Sequence, residues 1–332
     1  MKRPWLTPLV PLYAAGLALN DLRIARGKPP QRLHWPVISI GNLSTGGAGK
    51  TPLTIALARL LTQAGFHVDV LSRGYGRQNQ AVLRVDSSGA PADFGDEPIL
   101  ITREAGVPVY VAPQRYAAGN AAEVDFASHL SAAAPGPRVH ILDDGFQHRE
   151  LHRDIDILIL NKADWLDVLL PAGNLREPQS AIHRASVIVI PADEPALEPA
   201  LRAFGWQGPI WRLHRHMDVP PVDGLVAAFC GIARPEQFFS GLADAGIRLG
   251  ALVAFDDHHP YTRDDLQRLV TAARNADAHT FLTTQKDLIR LGDLTAALPA
   301  SVPLQAVPLR VEIENAPAAL QWLTARLAPP RS

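Results

Sequence analysis

The stretch Gly41–Leu61, "GNLSTGGAGKTPLTIALARLL", constrains this chain more than any other, and it directly follows the apolar run "WPVISI". An apolar run, a glycine-rich turn and an Ala/Leu-rich segment in that order read as strand, loop and helix. Backbone N–H groups of Gly46, Gly47, Ala48 and Gly49 can curl around phosphate oxygens while the helix presents its N-terminus to the same anion. Lys50 would neutralise the β- and γ-phosphates, and Thr51 would place a hydroxyl on Mg²⁺. Pro52 suits the first helical turn, where no N–H is needed. The G-x-x-x-x-G-K-[ST] spacing puts its first glycine at position 44, where this chain has Ser44. The loop is therefore a P-loop with one departure, and Ser44 belongs to the candidate nucleotide site.

The rest of the chain supplies the sheet such a loop needs. "VISI", "VDVLS", "VPVYV", "VHILDD", "IDILIL" and "SVIVI" are apolar runs suited to buried parallel strands, with helical patterns between several of them. The fold class expected is α/β: a P-loop, doubly wound, mostly parallel sheet with a second, smaller α/β domain. The pattern breaks near "GWQGPIWRLHRHMDVPPVDG", read as a linker, and "LVAAFCGI", "PEQFFSGLADAG" and "HTFLTT" resume it. The expected organisation is an N-terminal segment over 1–34, a nucleotide-binding domain over 35–210 and a C-terminal domain over 215–332. With 332 residues, 47% of them apolar, the chain can bury cores of that size. A net charge of −1 gives no overall pull toward nucleic acid, and the single cysteine, Cys230, excludes an intrachain disulfide and fits a reducing cytosol.

Residues 1–35 depart from that neutral average. Lys2, Arg3, Arg23, Arg26, Lys28 and Arg32 face one acid, Asp21, and enclose "PWLTPLVPLYAAGLAL". That run is short of the ~20 residues that span a bilayer and contains Pro8 and Pro11. A secretory signal would export the chain away from ATP, so the segment reads as a peripheral anchor on anionic lipid. A helix packed on the protein's own body is the alternative.

A P-loop alone names no reaction. "VHILDDGFQH" places Asp143 and Asp144 at the end of an apolar strand, where P-loop enzymes keep a magnesium-binding acid; helix caps would look the same. "LILNKAD" resembles the guanine clamp of GTPases, which makes a nucleotide switch at the membrane surface the competing reading. Against it, Asn161 follows Asp144 by few positions and "DDGF" lacks the D-x-x-G switch. The extra lysine of partitioning-type ATPases would fall at Thr45. "HRELH" spaces His148 and His152 as on one helix face but lacks the zincin order.

"GNLSTGGAGKTP", "SRGYGR", "GDEP", "DDGFQH", "LPAGNLREP", "FDDHHPY" and "TTQKD" occur in the order seen in the tetraacyldisaccharide 4'-kinase family, which the chain resembles from about residue 35 to 290. That family phosphorylates the lipid A precursor in Gram-negative bacteria, and the basic, apolar N-terminus is similar to its membrane-associating segment. The resemblance implies ATP and Mg²⁺ as cofactors and a lipid A disaccharide 1-phosphate as acceptor. It also implies work at the cytoplasmic face of the inner membrane, with no nucleic acid and no obligatory protein partner.

The residue roles follow from the same resemblance. Asp96 of "GDEP" would be the base that takes the acceptor proton, though as a bare sequence it reads as a turn residue. Asp257 and His258 would be the family's aspartate–histidine pair, with Asp256 and His259 leaving the register open. Thr51 and Asp144 would lie close to Mg²⁺, with Gln147 and Glu177 contributing directly or through water. Arg73, Arg77, Asp143, His148 and Arg176 are the candidates for substrate contacts. Because Asp96 and His258 fall in different expected domains, a complete site would require the two domains to close.

Overall fold

A computed structural model describes residues 3–47, 49–129 and 136–327. In chain order the strands are β1 Val37–Asn42, β2 His67–Ser72, β3 Leu83–Arg84, β4 Val109–Val111, β5 Arg138–Asp143, β6 Ile155–Ile159 and β7 Val187–Pro191. They continue as β8 Ile210–Met217, β9 Leu225–Cys230, β10 Leu249–Ala254, β11 Ala278–Thr284, β12 Leu304–Val307 and β13 Leu309–Ile313. The helices are α1 Val10–Arg26, α2 Lys50–Gln63, α3 Pro91–Phe94, α4 Asp96–Ala105, α5 Arg115–His129, α6 Lys162–Trp165, α7 Leu197–Ala203, α8 Pro235–Asp244, α9 Arg263–Asn275, α10 Gln285–Leu291 and α11 Ala316–Leu327.

Two sheets result. The larger runs β13-β8-β7-β6-β1-β5-β2-β4-β3 and the smaller β10-β9-β11-β12. In the larger sheet β1 lies between β5 and β6, both parallel to it, so the P-loop leaves the sheet's centre. All six residues of β1 are buried, as are all five of β6 and of β7. Such strands read as continuous Ile/Val/Leu runs because helices cover both faces. The core on one face packs Leu53, Leu57 and Leu61 of α2 against Ile38, Ile40 and Ile141. Phe146 and Trp165 belong to a core on the other.

Two features differ from the sequence expectation. The segment read as a linker contains β8, which pairs parallel with β7 and antiparallel with β13. Its buried residues Trp211 and Leu213 alternate with less buried Arg212 and His214, a half-covered strand hidden among Pro, Gly and His neighbours. The chain also returns: β13 and α11 rejoin the larger sheet, so the second sheet is an insertion between β8 and β13 rather than a unit running to residue 332.

The connector into β1 is tied down by a buried polar knot. Glu123 of α5 accepts from the backbone N–H groups of His34 and Trp35 at 2.7 and 2.9 Å. His140 bridges Asp69, at 2.7 Å, and Glu123, at 3.3 Å, and stacks on Trp35. Burial would lower the His140 pKa, but the two carboxylates outweigh it and raise it to about 9, so the ring is held as the cation that joins them.

Ahead of that connector, a short 3-10 helix Pro4–Leu9 leads into α1. Leu6, Val10, Tyr13, Ala14, Leu17 and Ile24 are half-buried, the three-to-four spacing of one helix face. Trp5, Leu12, Leu19 and Leu22 point outward and are at least half exposed. Tyr13 donates to the Arg176 carbonyl at 3.0 Å, and Asp21 pairs with Arg149, so the inner face lies against loops of the P-loop edge. Among the described residues, no helix is long and apolar enough to cross a membrane.

Candidate active site

The P-loop edge is organised around Asn42, the last residue of β1. Its Oδ1 accepts from Lys50 Nζ at 3.1 Å and from Arg176 Nη2 at 2.6 Å, while its Nδ2 donates to Ser44 Oγ at 3.0 Å. Asn42 and Ser44 are fully buried. The residue at the departure from the P-loop pattern therefore has a job: its hydroxyl fixes the amide that aims two cations. Gly49, which caps α2, has φ +88°, a conformation that favours glycine, and the Arg215 guanidinium lies 2.9 Å from where a Cβ would sit. Ala233, from the smaller sheet's unit, faces Gly46 and Gly47: a Cβ added at either glycine would lie 3.6 or 3.7 Å from its Cβ. Ala48 lies outside the described residues. Thr51 is buried in the first turn of α2.

Beside this cradle stand the strand-end acids. Asp144, at φ +49°, approaches Lys50 Nζ to 3.6 Å and Arg176 Nη2 to 3.0 Å. Burial alone would raise its pKa, but Lys50 and Arg176 pull it below the ordinary carboxylate range. Asp143 goes the other way: burial, then the charges of Glu97 and Asp144, push it up to about 7, although Thr54 donates to it at 3.1 Å. Two neighbouring carboxylates thus differ in charge near neutrality. Gln147 Nε2 donates to the Asn42 carbonyl at 2.9 Å and to Glu177 Oε1 at 3.0 Å, leaving its buried Oε1 with no partner among the described residues. Glu177 also pairs with Arg184 at 2.6 Å. The Thr51 hydroxyl, the Asp144 carboxylate and the orphaned Gln147 Oε1 are hard oxygen donors. They suit a magnesium ion held mostly by phosphate and water.

Around these groups the arginines divide. Arg73 is exposed, whereas Arg77 is buried and donates to the Ala81 carbonyl at 2.8 Å, bracing its own loop. Arg115, at the start of α5, was not singled out in the sequence. It is 6% exposed, and burial and then Arg73 lower its pKa to about 10, against the pull of Asp143 and Asp144. His148, in a turn rather than on a helix, is lowered to about 4 by burial and by Arg115, so it is neutral at pH 7.

The smaller sheet's unit reaches the same edge. Asp96 begins α4 and is 5% exposed; His258 Nδ1 lies 3.4 Å from its Oδ2, and Arg290 Nε donates to that oxygen at 2.6 Å. His258 has φ +59° and its ring sits 5.1 Å from Tyr75 of "SRGYGR". Of the two neighbouring histidines only His258 pairs with Asp96 among the described residues; His259 instead stacks on Phe255 and pairs with Asp265 at 3.0 Å. Asp257 is 3.9 Å from His258 Nε2, an ion-pair distance and not a hydrogen bond. Lys286 pairs with Glu97, and Gln285 donates to Glu104 at 2.6 Å, further joining the two units.

A family model for tetraacyldisaccharide-1-P 4'-kinase matches residues 2–328. This chain belongs to that family. Among relatives, the tetraacyldisaccharide 4'-kinase of Koribacter versatilis is 41% identical over 327 residues, covering 95% of this chain and 96% of its own. That of Geobacter metallireducens is 38% identical and covers 86% of this chain and 88% of its own. Among solved structures, an "apo" form of LpxK from Aquifex aeolicus in complex with ATP superposes with a TM-score of 0.74 at 32% identity, covering 97% of this chain and 98% of that one.

For a tetraacyldisaccharide-1-P 4'-kinase family member, the guanine-clamp likeness of "NKAD" has a structural account. Asn161 and Asp164 are both buried, and they bond each other twice, at 2.8 and 2.9 Å. Asp164 Oδ1 is taken by Arg234 at 3.0 Å, so the pair serves as a helix cap and a tie between the units. No edge remains for a guanine base.

Ser44→Gly removes the acceptor for Asn42 Nδ2, and a buried neutral hydrogen bond is worth ~1 kcal/mol. The expected result is a roughly fivefold weaker affinity for magnesium-bound nucleotide with the fold intact, read by titration with a fluorescent ATP analogue. Wild-type affinity in the glycine variant would show that the hydroxyl does not support the cradle.

Proposed function

We propose that this protein transfers the γ-phosphate of ATP to the 4'-hydroxyl of a tetraacylated disaccharide 1-phosphate, with Asp96 as the base. The observation that carries the reading is the approach of His258, from the smaller sheet's unit, to Asp96, whose neighbour Glu97 lies within electrostatic reach of Lys50 and Asp143 on the P-loop edge.

The chemistry follows from the placement. Lys50, aimed by Asn42, and the N-terminus of α2 would hold the triphosphate; Thr51, Asp144 and Gln147 would hold magnesium, which when bound offsets charge on the phosphate oxygens. Arg176 and Arg115 add positive charge beside the acids. Asp96 accepts the 4'-hydroxyl proton as the new O–P bond forms and the β,γ-bridging bond breaks to release ADP. His258 is held cationic more readily than a free histidine, first by its contact with Asp96. Its charge then offsets that of the Asp96 carboxylate. Arg73 and His148, both within electrostatic reach of Arg115, would contact the acceptor. The loop carrying Ala233 over Gly46 and Gly47 would limit water access and so wasteful hydrolysis.

The acceptor is lipid, and the N-terminal helix offers a matching surface. Trp5, Leu12 and Leu19 are 75%, 72% and 67% exposed, beside Arg3, Arg23 and Arg26. An apolar outer face with basic neighbours lies in the headgroup region of an anionic bilayer, here the cytoplasmic face of the inner membrane. The disaccharide would be met at that surface, with its acyl chains in the bilayer.

Labelled γ-phosphate should pass from ATP to the tetraacyldisaccharide 1-phosphate in detergent micelles, and Asp96→Asn should slow transfer by roughly 10²–10⁴-fold. No transfer by the wild type, with magnesium-dependent ATP binding intact, would overturn the acceptor assignment. In flotation with vesicles containing anionic phosphatidylglycerol, Trp5→Glu/Leu12→Glu should lower the bound fraction, as should raised salt. Unchanged binding by that variant would contradict the helix as the docking face.

A further inference from the structure

Arg290, on the last turn of α10, is 6% exposed at its side chain, and its planar fork is fully engaged. Nε and Nη2 both meet Asp96 Oδ2, Nη1 reaches Asp287 Oδ1 at 3.0 Å and the Gly231 carbonyl, and Nη2 is 3.3 Å from His258 Nδ1. Its anchor, Asp287, is fully buried. Asp287 accepts from the Gly231 backbone N–H and the Tyr261 hydroxyl at 3.0 Å each and from Thr284 Oγ1 at 2.6 Å. A rigid chain therefore runs from the smaller sheet through Asp287 and Arg290 to Asp96 in the larger sheet's unit.

That geometry fixes which carboxylate oxygen can work. Oδ2 is filled by Arg290 and approached by His258. Oδ1 accepts only the Glu97 backbone N–H, at 3.0 Å, among the described residues, and keeps a lone pair for an incoming hydroxyl. We propose that Arg290 is a positioning residue that orients the base Asp96 through Oδ2, so that the base is set for proton transfer only when the two units are in contact. The inference rests on the kinase reading with Asp96 as base. A lysine could supply the charge but not the fork, which here satisfies two carboxylates and a carbonyl at once.

Charge gives the inference a signature that mere packing lacks. Burial would raise the Asp96 pKa, but the His258 contact, Arg290 and Lys286 outweigh it and hold the carboxyl far below the ordinary range. Among the described residues, the other charged groups near this cluster include Glu97, Asp257, Asp287 and, through Glu97, Lys50. A rate that needs ionised Asp96 falls as pH drops through its pKa. Removing Arg290 removes a lowering charge, raises that pKa and moves the acid limb to higher pH, while His258 and Lys286 remain.

The test compares Arg290→Met, Arg290→Lys, Asp96→Asn and Asp96→Asn/Arg290→Met in steady-state phosphate transfer across pH, with binding of a fluorescent ATP analogue as control. Expected for Arg290→Met is a kcat lower by roughly 10–100-fold, an acid limb moved up by roughly one unit and nucleotide affinity within about twofold. Arg290→Lys should keep the acid limb near wild type with kcat still reduced. In the Asp96→Asn background the methionine change should cost less than about twofold more. An unmoved acid limb, full additivity with Asp96→Asn, or loss of nucleotide binding in parallel with activity would each overturn the proposal. Wild-type transfer by Asp96→Asn would instead sink the base assignment on which it rests.

Discussion

Charge balance at the carboxyl edge of the central strands is the constraint on which the rest depends. Asp96, Glu97, Asp143 and Asp144 crowd one region, and four bare carboxylates could not remain there out of water. Lys50 and Arg176 offset Asp144, Arg290 and His258 offset Asp96, Lys286 offsets Glu97, and Asp143 holds a proton near neutrality instead. The arrangement is poised for a polyanion with its cation, whose arrival would redistribute these pairs.

Three of those cations, His258, Lys286 and Arg290, come from the smaller sheet's unit. The same pairs that neutralise the acids also hold the units together, with Arg234–Asp164 as a further tie near the P-loop. Removing one partner of a buried ion pair costs about 3–5 kcal/mol because the other charge is stranded. Separation of the units would strand several charges at once, and their contact brings His258 to Asp96. Substrate entry and catalysis are in this account linked through one set of side chains.

Much of the fold was legible because the parallel strands are apolar runs and the P-loop marks the centre of the sheet. β1, β2, β4, β5, β6 and β7 each fall on a run visible in the sequence. β8 was hidden because a half-covered strand alternates, and its Trp and Leu are diluted by Arg and His. The return of β13 to β8 leaves no local signal, since pairing across the whole inserted unit is a tertiary fact. In the site, the glycine loop and "DDGFQH" announce phosphate chemistry by composition. Asp96 and His258 emerged only through the family likeness. Arg290 lies 194 positions from Asp96, and no pattern in the chain ties them. Ser44 read as a defect in a motif, and its hydrogen bond to Asn42 makes it part of the cradle.

The central claim is a direct, in-line transfer from ATP to a hydroxyl activated by Asp96, with no phosphorylated carboxylate on the protein. The stereochemical course at a γ-phosphorus made chiral with sulfur and oxygen isotopes tests this most directly. One in-line displacement predicts inversion of configuration in the phosphorylated disaccharide. Net retention would require two displacements through a phosphoenzyme and would contradict the account, making one of the strand-end acids a nucleophile instead of a charge partner.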